Sequence, residues 1–246
     1  MTALKESPTL ERKKWEWFLG LQTLHVARGA DWSGLRAVGF GVGIEPIPDL
    51  LASRGVSVLA TDWREGAEAS AWQDTNQLSE ELTDLNRRQI SDPATFASKV
   101  AYRDVDMNNI PRELHGQFDF VFSFCSLGHI GGYRQGLDFI RESAHLLAPG
   151  GIAVHTTEWD LSKGKPLMDS PALSFYRRED LDELLKDLKS DGMDVPPHDF
   201  DIGPGLADQH VDREPYTRTH LRVDVMGYEV ITVGIVFSRP PLPSNH

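Results

Sequence analysis

The 246-residue sequence predicts an α/β fold: a mostly parallel, twisted sheet with helices on both faces. Three observations point there. Short β-rich apolar runs alternate with helical stretches from Leu35 to Gly192. The runs are apolar almost throughout, as strands covered on both faces must be. The first of them stops at a cluster of glycines, Gly39, Gly41 and Gly43, where a strand can turn sharply into a helix.

Each element has its own signal. Lys14 to Ala27 reads as a helix, with Trp15, Phe18, Leu19 and the stretch Leu21 to Leu24 expected to face a core. Leu35 to Phe40 is the first strand, Leu50 and Leu51 begin a helix that Gly55 ends, and Val56 to Ala60 is the second strand. Glu65 to Arg88 is polar helix and loop; Val100 to Met107 is a weak strand and Phe118 to Phe124 a strong one, dense in Phe and Val. Leu137, Ile140, Ala144 and Leu147 fall on one helical face until Pro149-Gly150-Gly151 breaks the pattern. Ile152 to Thr157 follows as a buried strand. Leu181, Leu184, Leu185 and Leu188 form the inner stripe of an amphipathic helix with Gly192 past its end. Leu221 to Met226 and Tyr228 to Phe237 are β-rich, and Pro240-Pro241 closes the regular structure.

Composition narrows the function. Lys plus Arg number 25 against 37 Asp plus Glu, a formal charge of −12. Such a surface repels phosphate backbones and anionic lipid, which argues against a nucleic-acid or membrane-surface partner. One cysteine, Cys125, excludes a disulfide framework and a Cys-rich zinc module. No apolar run approaches the roughly 20 residues of a membrane span. The polar start, Met1 to Lys14, lacks the apolar centre of a secretory signal, so a cytoplasmic location is expected.

In an open parallel sheet, ligands bind beyond the carboxyl ends of the strands. Gly39-Phe40-Gly41-Val42-Gly43 lies at such an end. Aligned with the dinucleotide fingerprint, Pro46 stands where the third glycine belongs, which argues against a nicotinamide or flavin dehydrogenase. No Gly-Lys-Ser/Thr follows, so the loop is not a nucleoside-triphosphate loop. Asp62 ends the second strand nineteen residues past Gly43, where a carboxylate can accept both hydrogens of a ribose diol or cap the next turn.

Five ordered pieces together resemble the class I S-adenosylmethionine-dependent methyltransferases. They are Val38 to Glu45, Val58 to Asp62, Asp106 to Pro111, Phe118 to Ile130, and Leu146 to Gly151. The resemblance implies a Rossmann-like sheet whose last strand, near Tyr228 to Phe237, is antiparallel. It implies S-adenosyl-L-methionine as cofactor, with Gly39, Gly41 and Gly43 at its methionine part and Asp62 at its ribose. Asp106 is implied at the adenine amino group, with Trp63 and Met107 as apolar contacts to the ring and Ser123 completing the set. The family's usual acid two residues before the first loop glycine is replaced by Gly39, and its last loop glycine by Glu45. Glu45 fits two roles, contact with the cofactor's amino group or capping of the next helix.

On this reading 1–246 is a single methyltransferase domain. Residues 1–34 form a helical lid, 35–159 the cofactor-binding core, 160–221 an acceptor-binding elaboration and 222–239 the terminal strands. The stretches Gly39 to Pro46, Cys125 to His129, His155 to Glu158, Tyr176 to Arg178 and Val211 to Tyr216 resemble a narrower group of bacterial methyltransferases found with sugar and polysaccharide biosynthesis.

Candidates for chemistry follow. A hydroxyl acceptor needs a base, and His129, just past the fourth strand, is suited to that near neutral pH, unless it caps the following helix. Glu158 at the end of the fifth strand is a second base or an orienting acceptor. His155, Tyr176 and Arg177 are expected at the acceptor, with Arg177 and Arg178 either clamping a phosphorylated group such as a nucleotide-linked sugar or pairing with Glu179, Asp180 or Asp182. His155, His198, His210 and His220 interleave with Asp199, Asp201, Asp208 and Asp212 without fixed ligand spacing, so no metal is expected. Cys125 is expected to be a buried thiol. The expected activity is O-methylation of a sugar or related small metabolite. N-methylation of an amino sugar or a protein, or a catalytically dead binding module, are the alternatives.

Overall fold

The computed structural model describes residues 2–63, 82–217 and 219–243. Its strands are β1 (Arg36–Phe40), β2 (Ser57–Asp62), β3 (Val100–Asp104), β4 (Phe118–Phe124), β5 (Leu147–Asp160), β6 (Val211–Asp212), β7 (Arg222–Val225) and β8 (Tyr228–Ser238). Among the described residues they form a single sheet in the order β3-β2-β1-β4-β5-β8-β7-β6. β1 to β5 run parallel, and β6 parallel to β7. β8 is antiparallel to both of its neighbours, β5 and β7. The Rossmann-like sheet with a reversed last strand is therefore present.

The described helices are α1 (Arg12–Arg28), α2 (Ile47–Ser53), α3 (Pro93–Lys99), α4 (Tyr133–Leu146), α5 (Arg178–Ser190) and the short α6 (Leu206–Gln209). Successive strand residues feed opposite cores, because side chains alternate across a sheet. Val38, Val121 and Ala153 face α4 and α5, joining Leu137, Ile140, Leu181 and Leu184. Ala37, Phe120, Phe122 and Val154 face the other way, joining Trp17 and Leu24 of α1, Leu51 of α2 and Phe96 of α3. Burial on both sides explains why these strands read as continuous apolar runs.

Three expectations need correction. α1 does not bury Phe18, which is 58% exposed; its inner face is Glu16, Trp17, Gly20 and Leu24. Gly20 decides this rotation. A Cβ there would sit 2.5 Å from the Phe124 ring, so the helix rests on that ring through its glycine. Pro149-Gly150-Gly151 does not precede the fifth strand but lies inside β5, where the pairing with β4 shifts register between Phe118 and Phe120. β3 stops at Asp104, short of Met107, and Val105 already bonds back to the Asp62 carbonyl. Of the polar stretch Glu65 to Arg88, residues 65–81 lie outside the described residues.

Candidate active site

A cavity of about 610 Å³ opens over the carboxyl ends of β1, β2, β4 and β5. Gly41 and Gly43 line it, with φ of +59° and +49°. A Cβ on Gly41 would lie 2.3 Å from Ser126 Oγ, so glycine is required both by the backbone and by the neighbour. Gly39 lies beneath the loop, against Phe122 and Val42, and does not line the cavity. It permits packing rather than contact with a ligand.

Asp62, 9% exposed, ties the loop to the end of β2: Oδ2 accepts from Gly43 N at 3.0 Å and Oδ1 from Trp63 N at 3.0 Å. Trp63 is exposed and Met107 buried; both line the cavity. Asp106 lines it beside them, its Oδ1 accepting from Asn108 N at 2.8 Å. Asn108 in turn donates to the Ile130 carbonyl at 2.9 Å, closing this end of the rim.

The other end is built by the first turn of α1, whose Arg12 and Lys13 were not among the expected site residues. Lys13 Nζ lies 2.9 Å from Glu45 Oε1 and 3.1 Å from Glu16 Oε2, and donates to the Phe124 carbonyl at 2.9 Å. Burial raises the Glu45 carboxyl above its usual range, against the opposing pull of Lys13. Burial acts to lower the Lys13 pKa, but Glu16 and Glu45 outweigh it and raise it, so the ammonium stays charged. Glu45 precedes α2 without capping it: Pro46 is the N-cap residue, and it makes no side-chain cap bond.

Between these ends, Glu158 reaches the cavity from β5. Its Oε1 accepts from Cys125 Sγ at 2.5 Å and pairs with Arg12 at 3.2 Å. Its Oε2 is buried without a hydrogen-bond partner. Cys125 is half-buried, not buried, and holds φ at +61°, with its N–H bonded to both oxygens of Thr156. Burial, then Glu158 and Glu16, raise its thiol well above the usual range, so it is a hydrogen-bond donor and not a thiolate nucleophile. His129 lines the same cavity from the single turn Leu127–His129. Its Nδ1 lies 2.8 Å from the Ala172 carbonyl. A carbonyl only accepts, so Nδ1 carries the proton and Nε2 is the basic nitrogen of the neutral ring. The N-cap of α4 is Gly132, so His129 is not that helix's cap.

Besides Gly39, four expected site residues lie elsewhere. Ser123 and His155 are fully buried and bonded to each other at 2.8 Å. His155 Nε2 meets Ser143 Oγ at 2.9 Å, and burial lowers its pKa to about 3. Their strand positions point into the α4 core, away from the cavity. Tyr176 is fully buried, its hydroxyl donating to the Leu127 carbonyl at 2.8 Å. It supports the turn that carries His129. Arg177 donates to the Lys165 carbonyl at 3.0 Å, and Arg178 pairs with Asp182 at 3.5 Å. None of the described residues among 160–221 lines the large cavity. Among the described residues no group of three or more His, Cys, Asp or Glu could hold a metal ion, and no helix is long and apolar enough to cross a membrane.

Residues 38–155, just under half of the chain, match the family model described as a methyltransferase domain. No curated protein matches. Among solved structures, the chain is similar to the CcbJ methyltransferase from Streptomyces caelestis, at 15% identity over 96% of this chain and 98% of that one, TM-score 0.52. It is similar to a complex between the Haloferax volcanii Trm112 methyltransferase activator and a methyltransferase, at 17% identity over 93% and 92%, TM-score 0.52. A third likeness, to the cyclase SpnF, has 18% identity over 72% of this chain and a TM-score of 0.46, and the chain spans 57% of that protein's length. At these identities the first two structures show the fold. With the family match, residues 38–155 are similar to a methyltransferase domain.

Proposed function

We propose that this methyltransferase domain methylates a hydroxyl of a sugar or related small polar metabolite. The observation that carries the reading is a single cavity that gathers Gly41, Gly43, Asp62 and Asp106 with two proton-accepting side chains, His129 and Glu158. S-adenosylmethionine, bound there, supplies a methyl group already activated on a sulfonium.

The chain's own residues fit that cofactor. Asp62 faces a ribose diol as acceptor, and the positive-φ glycines let the backbone approach closely. Glu45 and Lys13, 2.9 Å apart, present an anion and a cation, the complement of an amino acid's ammonium and carboxylate. Asp106, Trp63 and Met107 suit a flat base with an exocyclic amine. Gly39 acts by packing and Ser123 by holding His155, so neither belongs to this set.

With the cofactor bound, its sulfonium would give up the methyl and leave as S-adenosylhomocysteine, and the chain's own part would be to take the acceptor hydroxyl's proton. His129 Nε2 is the base, and Glu158 orients the hydroxyl through Oε2 while Arg12 and Cys125 hold its other oxygen. Alignment supplies the larger share of the acceleration and proton removal a further 10²- to 10⁴-fold. Residues 1–34 act as lid through α1; residues 160–221 steady His129 through the Ala172 carbonyl.

Calorimetry with S-adenosylhomocysteine tests the cofactor site. Asp62→Ala is expected to weaken binding at least tenfold, and unchanged affinity removes Asp62 from it. His129→Ala is expected to lower labelled-methyl transfer by on the order of 10²-fold with cofactor affinity intact. Full activity in both His129→Ala and Glu158→Ala would sink the general-base mechanism and favour an amine that arrives deprotonated. Cofactor binding without transfer to any acceptor would identify a binding module.

A further inference from the structure

A second cavity, of about 250 Å³, adjoins the first; Arg12 lines both. Its walls are aromatic and acidic. Trp15, Trp159 and Phe200 supply the aromatic surface, with Trp159 and Phe200 edge to face at 5.3 Å. Asp199, Asp201 and Asp208 supply the carboxylates, and β8 from Ile231 to Gly234 closes one side. Each carboxylate is fixed through one oxygen: Asp199 accepts from Asp201 N at 2.8 Å, Asp201 from Gly203 N at 3.0 Å and Asp208 from Gly205 N at 3.0 Å. Lone pairs on the second oxygen remain for a ligand's donors.

Among the described residues the one cation lining this cavity is Arg12, and its charge is already engaged by Glu158 at 3.2 Å. Three carboxylates against a neutralised arginine repel an anion and favour donors or a cation. Aromatic walls add apolar surface for the C–H face of a ring and attract an ammonium by cation–π contact. The volume is below the range of pockets for drug-sized ligands, so it suits one ring rather than a nucleotide-linked sugar. Across Arg12, Glu158 Oε2 is buried with no hydrogen-bond partner, an orphan acceptor that a hydroxyl reaching over from this ring would satisfy.

Resting on the methyltransferase reading above, we propose that the second cavity is the recognition subsite for the acceptor and takes an amine-bearing polyhydroxylated ring. The Arg12–Glu158 pair divides the ring's resting place from the methyl-transfer position.

Three probes test it in the full chain, titrated by calorimetry with and without saturating S-adenosylhomocysteine: glucosamine, glucose and glucose 1-phosphate. Glucosamine is expected to bind at least fivefold tighter than glucose, and glucose 1-phosphate weakest of all. Asp201→Asn and Phe200→Ala are expected to weaken glucosamine at least fivefold while leaving S-adenosylhomocysteine affinity unchanged. Asp201 is exposed, so its variant keeps the test valid if Phe200→Ala fails to fold. No glucosamine binding, tighter binding of the phosphate, or wild-type affinity in Asp201→Asn each overturns the subsite. Failure to bind S-adenosylhomocysteine overturns the methyltransferase reading instead, and the glucosamine titration without it then decides the subsite alone.

Discussion

His155 and Gly41 illustrate how single positions carry different physics. Ser143 Oγ donates to the Ile140 carbonyl at 2.7 Å, so it must accept from His155 Nε2, and His155 Nδ1 accepts from Ser123. The ring is thus neutral, and its pKa of about 3 lies below the ordinary 6.5 because burial penalises the charged form. The unfolded chain therefore binds the proton more readily. Stability from this group is present above pH 6.5 and is lost as pH falls toward 3. Denaturant unfolding is expected to show a loss of about 2 kcal/mol between pH 7 and pH 5 from this residue, absent in His155→Asn even though that variant starts less stable. An identical pH slope in the variant would remove His155 as the source. At Gly41 the constraint is steric. Gly41→Ala must hold φ near +59° with its methyl 2.3 Å from Ser126 Oγ, and an expected cost of about 1–3 kcal/mol comes with at least tenfold weaker S-adenosylhomocysteine binding. Gly116→Ala is the control: its φ is +69° but nothing lies within 4 Å, so only the backbone cost remains and cofactor binding should not change.

At the scale of the element, legibility in the sequence followed amphipathicity. α4 and α5 were readable because their buried positions carry Leu, Ile, Phe or Ala at helical spacing, with Gly136 and Ser143 of α4 the exceptions. α1 was found with Leu24 inward and Leu19 and Leu21 against the core, but Phe18 was assigned inward although it is exposed, because the buried face includes Glu16 and Gly20. A pattern rule ranks residues by apolarity and cannot see that Phe124 leaves room only for a glycine, or that Lys13 and Thr232 stand ready to receive Glu16. The same rule hid Arg12 and Lys13, which read as part of a polar run. Lys13→Met tests this account. It leaves Glu16 and Glu45 facing each other without a cation, and is expected to lower stability by about 1–3 kcal/mol, less than for a fully buried pair because Lys13 is partly exposed. Adding Glu45→Gln should recover part of that loss, since it removes one of the two stranded charges. Additive losses in the double variant would show that the three groups do not form one network.

At the scale of the whole molecule, the mostly parallel sheet and the loop-bearing strand ends followed from alternation and glycine placement, which are local signals, and the reversed last strand from the family resemblance. Gly41, Gly43, Glu45, Asp62, Trp63, Asp106, Met107, His129 and Glu158 all converge on one cavity because each stands at or just past the carboxyl end of a strand. His155, three residues before Glu158 on β5, missed it because the pleat sends it to the opposite face, into the α4 core. What no local signal carries is that α1, first in sequence, packs across β4, β5 and β8 and brings Arg12 and Lys13 to the same rim. Arg12 N also bonds to the His220 carbonyl, so the start of this helix is fastened to the far end of the chain. Such a wall should respond to what it encloses. Ligand binding to the native state alone stabilises it by about 2.7 kcal/mol at a hundredfold excess over Kd, and local openings that expose the site are suppressed by the same amount. Hydrogen exchange with saturating S-adenosylhomocysteine is therefore expected to slow at the amides of Trp15 to Gly20 and of Val42 to Glu45, roughly tenfold or more. Amides of β7, which line neither cavity, should keep their rates apart from any share in global stabilisation. Protection at the glycine loop with unchanged rates in α1 would make that helix a packing element only, and would take Lys13 out of the cofactor site.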